Sequence, residues 1–363
     1  MTYEFPPNKG GAGTYCKELA MNANKQSIHI EVWAPKNSQY VETIQVKALP
    51  WKGSQSWLSS IKLMYHIRTS LTEDSPVILH IGDPGVCKAF IRLGWLVPKS
   101  FSRIITIHGS ELLKFTKNPV ERFLFRKLLT SCQTIHVLSN FNKNRCVHFC
   151  KHIESKIVEI PGAPSSVVLA KNEATIKSKE TGCIQILCVG RIHPRKGQLE
   201  LLKALNALPT GLQRIIKLNF VGPVNKISYV KKIKKNAENF LGQIKFTGEV
   251  SNYDLSILYQ SSDIFSLTPI TTKTSIEGFG FVFLEASTFG LPIIATNVGG
   301  VKDAVLDGKT GLLSEPNNQE NLKNNIIKLV ESRSLRNKLG SNGIKWAKKH
   351  SWEAVAKKLY LPN

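Results

Sequence analysis

The chain has 363 residues, 42% of them hydrophobic and 21% charged, which excludes a disordered or fibrous protein and suits two ordinary α/β-sized domains rather than one core. Its formal net charge of +23 is spread over both halves, with 21 Lys and Arg against 11 Asp and Glu in residues 1–165 and 28 against 15 in the rest. No apolar run reaches the roughly eighteen residues of a membrane span, M-T-Y-E-F-P-P lacks the features of a secretion signal, and seven scattered cysteines suit a reducing cytoplasm.

In chain order, a helix is expected at 12–24 and strands at 27–34, 77–81, 103–107, 133–138 and 156–160. Further helices are expected between them at 57–71, 119–129 and 141–152. Residues 161–182, rich in Pro, Gly, Ser and Lys, read as a hinge. The alternation then resumes: strand 184–189, helix from Lys196, strand 215–221, helix from Asn225 and strand 243–247. Helix 253–260, strand 263–267, helix 282–289 and strand 292–295 follow, and helices from Asn317 close the chain. Strand–helix alternation of this kind predicts an α/β protein with two doubly wound, parallel-sheet, Rossmann-like domains facing a cleft. The boundaries are a first domain at 1–165, a linker at 166–182, a second domain at 183–345 and a terminal helix at 346–363.

Three motifs fall where strand ends open onto helices. Gly10-Gly11-Ala12-Gly13 precedes the first helix, where glycines let backbone amides approach an anion. Gly11-x-Gly13-x-x-Cys16 also nearly matches a dinucleotide fingerprint, with Glu31 about where a ribose-binding acid would stand, so an NAD-dependent oxidoreductase is a rival reading. The second motif is G-R-I-H-P-R-K-G at 190–197, in which Arg191 and Lys196 can aim two cations at one diphosphate. The third is E-G-F-G-F-V-F-L-E at 277–285. Its glycines free amides at a helix start for phosphate, and Glu277 and Glu285 suit sugar or ribose hydroxyls provided that cations neutralise the site. For Glu285 alone, a first-turn helix carboxylate is the competing explanation.

These segments, with T-G-E-V, G-L-P-I-I-A-T-N-V-G-G, D-G-K-T-G-L-L, F-P-P-N-K-G-G-A-G-T-Y, T-I-H-G-S-E-L and H-S-W-E-A-V-A-K-K-L, resemble the retaining glycosyltransferases of family 4 over nearly the whole chain. The resemblance implies a GT-B fold with the acceptor on the first domain, the nucleotide-sugar donor on the second, and the terminal helix packed back on the first. It implies that Arg191 and Lys196 hold the donor diphosphate and that Glu277 bonds hydroxyls of the transferred sugar. Phe279, Gly280, Phe281 and Val282 would offer amides to sugar and phosphate, and Glu285 would grip the ribose. Glu249 and Val250 would lie beside the base, Gly11 would close over the diphosphate, and His108 would meet the sugar through its carbonyl or its ring. Retention of anomeric configuration, with no enzyme nucleophile, is implied too. No D-x-D occurs, in keeping with a metal-independent enzyme that needs no cofactor.

The expected enzyme moves a hexose-type sugar to a saccharide or lipid-linked acceptor in surface polysaccharide or glycolipid synthesis, at the cytoplasmic face. A non-catalytic nucleotide-sugar-binding scaffold is the other alternative. It rests on the short start, where only Met1-Thr2-Tyr3 precede E-F-P-P and leave the first strand truncated or a stub. Peripheral contact with an anionic membrane fits the basic, Phe- and Leu-rich stretch 112–129, though an ordinary amphipathic helix explains it as well. Nucleic acid has only the charge in its favour. The alternation Cys146, His148, Cys150, His152 is one cluster without a second ligand pair, so no metal is expected there.

Overall fold

The computed structural model describes residues 1–7, 10–38, 43–50, 55–72, 77–165 and 182–361, so the expected linker 166–182 lies, but for Gly182, outside the described residues. The chain divides into two compact units, one formed by Met1–Gly162, Lys273–Gly278 and Ser351–Asn363, the other by Ala163–Thr272 and Phe279–His350.

In the first unit, β1 (Glu31–Pro35) pairs with β2 (Gln45–Leu49), and β3 (Ile78–Ile81), β4 (Ser102–Ile107), β5 (Thr134–Val137) and β6 (Ile157–Glu159) form a second sheet in that order. All pairings are parallel, so each strand needs a crossover to reach the next. Helices Pro84–Leu93, Pro119–Ser131 and Asn140–Phe149 supply the crossovers of the second sheet, Trp57–Ser70 links the two sheets, and helix starts are written in the sequence. Ser56 accepts from the Ser59 amide, Asp83 from Val86 ahead of Pro84, and Asn118 from Val120 and Glu121 ahead of Pro119. Ile81, Ile105, Ile107, Ile135 and Val137 are fully buried in the core. Two boundaries differ from expectation by more than two residues. Ser27 has a positive φ of 60°, which delays the strand expected from 27 to Glu31. The helix expected at 141–152 spans Asn140–Phe149, because Cys150 is extended and a 3-10 turn, Lys151–Lys156, follows.

Residues Met1–Tyr3 form a stub that touches both sheets. The Met1 amine donates to the His80 carbonyl (2.9 Å), Gly82 N donates to Met1 O (3.0 Å), and Thr2 N donates to Trp33 O (3.0 Å). The buried Asp83 carboxylate fixes the stub by accepting from Thr2 Oγ1 (2.7 Å), Glu4 N (3.0 Å) and the Tyr3 amide. A cavity of about 500 Å³ lies beside Met1, lined by residues of β1 and β3 among others.

The second unit holds six parallel strands: β7 (Ile184–Val189), β8 (Ile216–Val221), β9 (Gln243–Gly248), β10 (Ile264–Leu267), β11 (Ile293–Thr296) and β12 (Gly311–Ser314). Their order is β12-β11-β10-β7-β8-β9, with β9 at an edge. All four residues of β10 and of β11 are buried, which explains their unbroken apolar runs. Chain direction across the sheet reverses between β7 and β10, and in doubly wound sheets the crevice outside the carboxyl ends of such a pair receives ligand. The segments that leave these two strands carry 190–197 and the chain leading towards 277–285.

Candidate functional site

At the carboxyl end of β7, Gly190 turns the chain and Pro194–Lys196 makes one 3-10 turn. Gly197, at φ 72° and ψ 20°, then starts the helix Gln198–Asn206, two residues later than expected. Gly197 abuts the β10 exit, where Thr268 Oγ1 donates to Gly197 O (2.7 Å) and Ile270 N donates to Arg195 O (2.9 Å). Gln198 Nε2 holds the Arg191 carbonyl at 3.0 Å, and a Cβ on Gly190 would lie 3.8 Å from Cδ and Cε of Lys196, so the lysine stem covers that glycine. His193 reports the local field. Its pKa is lowered first by burial and then by Arg195, Arg191, Lys226 and Lys196. Arg191, Arg195, Lys196 and Lys226 therefore all act on one imidazole at the switch point of the sheet and make the potential there positive, which favours an anion.

The helix Phe281–Thr288 begins at Gly280, whose φ of 90° is left-handed, and Gly280 O accepts from the Phe283 amide (3.0 Å). The helix dipole makes this start favourable to negative charge. Phe279 is buried in the core, with its ring 5.9 Å from that of Phe281. Val282 sits in the first turn, and Glu285 is the fifth residue of the helix, so the first-turn explanation for that carboxylate fails. Glu285 is buried and accepts from Tyr259 OH (3.1 Å), whose ring stacks on Phe289 at 5.2 Å. Glu249 and Val250 follow β9 beyond Gly248, on the edge of the sheet.

E-G-F-G is divided between the units: Glu277 and Gly278 pack with the first, Phe279 and Gly280 with the second. Glu277 is buried at 8% exposure. The Gly278 carbonyl accepts from Ser139 Oγ (2.8 Å) and Asn142 Nδ2 (3.4 Å), and Gly278 lies against the His108 carbonyl so closely that no side chain fits. The His108 ring donates through Nε2 to Gly82 O (2.8 Å) and meets Tyr15 edge-on at 5.2 Å, while its amide donates to Glu111 Oε1 (3.1 Å). The first unit thus joins His108 to the backbone next to Glu277. Gly11 opens the helix Gly11–Asn24 after the extended Gly10.

Beneath His108 runs a buried polar chain that the sequence gives no sign of. The network assigns both histidines as neutral Nε2–H tautomers. Tyr360 OH donates to His80 Nδ1 (2.6 Å), His80 Nε2 to Thr106 Oγ1 (2.8 Å), and Thr106 to Tyr15 OH (2.8 Å). Tyr15 OH in turn donates to His136 Nδ1 (2.9 Å), and His136 Nε2 to Ile160 O (2.9 Å). A proton added to either imidazole would set a donor against a donor. Burial dominates in lowering the pKa of both, His136 to about 4, with neighbouring positive or titrating groups adding to the effect. The unfolded chain therefore binds more protons, and stability is complete above the ordinary histidine value and falls as pH drops through 6.5 towards 4. Unfolding in urea is expected to show a loss of about 2 kcal/mol from His136 between pH 7.5 and pH 5, with His80 adding in the same direction. His136→Gln should flatten that slope; an unchanged slope would refute the assignment.

Other sequence candidates gain no support. Glu31 opens β1 and accepts from Trp33 Nε1 and Gln45 Nε2, whereas a ribose-binding acid stands at the carboxyl end of its strand, so the dinucleotide reading lacks its acid. Stretch 112–129 is divided between Glu111–Lys114 and Pro119–Ser131, with Phe115 and Phe125 in the core and Val120 and Phe123 exposed, so its membrane reading is neither supported nor overturned. Cys146 and Cys150 are likewise buried, and among the described residues no group of three His, Cys, Asp or Glu is disposed to hold a metal ion. No described helix is long and apolar enough to cross a membrane.

Two family profiles tile the chain: Glycosyltransferase Family 4 over residues 9–163 and Glycosyl transferases group 1 over residues 171–346. An uncharacterised glycosyltransferase of Methanocaldococcus jannaschii is 27% identical over 96% of this chain and 93% of its own length. A GDP-mannose-dependent alpha-(1-6)-phosphatidylinositol monomannoside mannosyltransferase of Mycobacterium tuberculosis is 24% identical over 99% and 96%. Among solved structures, Anabaena HepE in complex with UDP-glucose superposes with a TM-score of 0.74 over 99% of this chain and 96% of its own, at 16% identity. Two units of parallel α/β sheet, the cationic turn at the second unit's switch point and these matches agree: the chain is a GT-B glycosyltransferase and belongs to the group 1, family 4 enzymes.

Proposed function

We propose that this glycosyltransferase moves a hexose-type sugar from a nucleotide-diphosphate donor to a saccharide or lipid-linked acceptor, with retention and without a metal. The observation that carries the reading is the convergence of Arg191, Arg195, Lys196 and Lys226 around His193 at the β7–β10 switch. Breaking the bond between sugar and diphosphate builds negative charge on the leaving group and positive character on the sugar carbon. Arg191, Lys196 and the helix start at Phe281 stabilise the first, which is the electrostatic service a metal would otherwise provide. Glu285 holds the ribose, Glu249 and Val250 border the base, and Gly11 covers the diphosphate. Glu277 and His108 hold sugar hydroxyls, and Phe279, Gly280 and Val282 place their backbone against sugar and phosphate. Attack comes from the face the leaving group departs, with a phosphate oxygen taking the acceptor proton, so no side chain serves as nucleophile. The relatives' donors, GDP-mannose in one and UDP-glucose in another, support this donor class.

A thermal-shift screen of UDP-, GDP- and ADP-sugars and NAD(H) tests it, since a ligand of the native state alone raises the melting temperature. One nucleotide sugar is expected to stabilise the protein, and Lys196→Ala to abolish that shift and lower kcat/KM about 10²–10³-fold. Activity should survive EDTA, and proton NMR of the product should show the donor's anomeric configuration. A response to NAD(H) alone would overturn the reading.

A further inference from the structure

Helix Trp57–Ser70 is apolar on both sides. Leu63, Met64 and Ile67 face the core, yet Trp57, Leu58, Ile61 and Tyr65 are 59%, 62%, 52% and 64% exposed. These four positions recur at one, four and eight residues from the first, so they line a single outward stripe. A solvated helix carries charge on that side, and large apolar side chains grouped in the open mark an interaction surface. The adjoining helix Pro84–Leu93 extends the patch. Arg92 stacks its guanidinium 4.6 Å over the Trp57 ring and donates to Gln55 O (2.7 Å), and Trp95, three residues on, is 73% exposed.

Charge identifies what covers this face. Residues 43–72 contain four Lys or Arg and no Asp or Glu, and residues 84–110 likewise contain four and none. A second copy of the chain would set Lys62, Arg68 and Arg92 against their equals. An anionic surface would neutralise them, while Trp and Tyr are the side chains that settle at the boundary between headgroups and acyl chains. We propose that the face formed by Trp57, Leu58, Ile61, Tyr65 and Trp95 docks the protein on an anionic lipid bilayer, with Lys62, Arg68 and Arg92 reaching phosphate headgroups. The apolar stripe enters the interface and the long basic side chains extend along it. The surface is separate from the cationic turn at 190–197 and does not depend on the donor.

Co-sedimentation with vesicles tests this directly, comparing pure phosphatidylcholine with phosphatidylcholine containing about one-third phosphatidylglycerol. Binding at least tenfold stronger to the anionic vesicles is expected. Leu58→Glu with Ile61→Glu should lose at least tenfold of it, and so should Lys62→Glu with Arg68→Glu, which keeps the apolar stripe intact. Leu58, Ile61 and Arg68 are exposed and Lys62 is half-buried, so unchanged melting temperatures check that both variants fold. Equal binding to both vesicles, no binding, or variants that bind like the parent would overturn the proposal. A concentration-dependent dimer in ultracentrifugation that Leu58→Glu with Ile61→Glu dissolves would also overturn it, in favour of a second copy.

Discussion

Gly278→Ala is expected to lower kcat/KM by about a hundredfold or more while the protein stays folded. The reason is a backbone approach. A Cβ at 278 would stand 1.7 Å from the His108 carbonyl oxygen and 2.8 Å from its carbon. The conformation of Gly278 is not the obstacle, because it is absent from the positive-φ glycines of the chain. The obstacle is main chain, so no trimming of a neighbouring side chain relieves it. The peptide must move, and with it Glu277 on one side and Phe279 on the other. The bonds from Ser139 and Asn142 to the Gly278 carbonyl would stretch at the same time. Initial rates with the donor found by thermal shift, measured beside a circular-dichroism melt, decide the matter. A variant retaining kcat/KM within about threefold would show that this approach has no part in positioning the motif.

Gly197→Ala should instead cost stability, about 3 kcal/mol or more, or about 10 °C in melting temperature for a chain of this size. Two penalties add there. Gly197 has φ 72°, and its Cβ would lie 1.6 Å from the Thr268 carbonyl oxygen. Gly248 separates them, since its φ is 75° but nothing stands within 4 Å of its Cβ. Asparagine tolerates the left-handed region. Gly248→Asn is therefore expected to change stability by less than about 1 kcal/mol, whereas Gly197→Asn should fare as badly as Gly197→Ala. Equal behaviour of the two asparagine variants in urea melts would show that strain, not space, governs position 197.

Much of the second unit was legible because its central strands are buried on both faces. I-Q-I-L-C-V, I-F-S-L and I-I-A-T stand out as apolar runs between helices, and glycine marks the ends of β7, β8 and β9. The strands that escaped notice lack that signature. β2, Q-V-K-A-L, buries only its last residue, and β12, G-L-L-S, is four residues long and opens on glycine. Motif residues could be found because phosphate chemistry selects glycine and paired cations at fixed spacing. Lys226 and His193 could not be assigned the same way. Lys226 belongs to the cluster only because the chain after β8 returns to the turn, where Ile192 bridges to Val224. The buried Tyr15, His80, Thr106, His136 and Tyr360 chain was invisible for a related reason. Its members sit singly inside apolar segments, far apart in sequence, and only the parallel register of β3, β4 and β5 aligns three of them.

Four cations crowded around His193 respond to the amount of negative charge they are given, and transfer changes that amount. A sugar diphosphate has no free terminal phosphate, whereas the nucleoside diphosphate left behind has one that ionises further near neutral pH. On the proposed reaction, the spent nucleotide is therefore held harder than the fresh donor. On that reaction, product competes with substrate for the same turn of backbone. Salt, by screening that attraction, is expected to loosen the more highly charged product more than the donor.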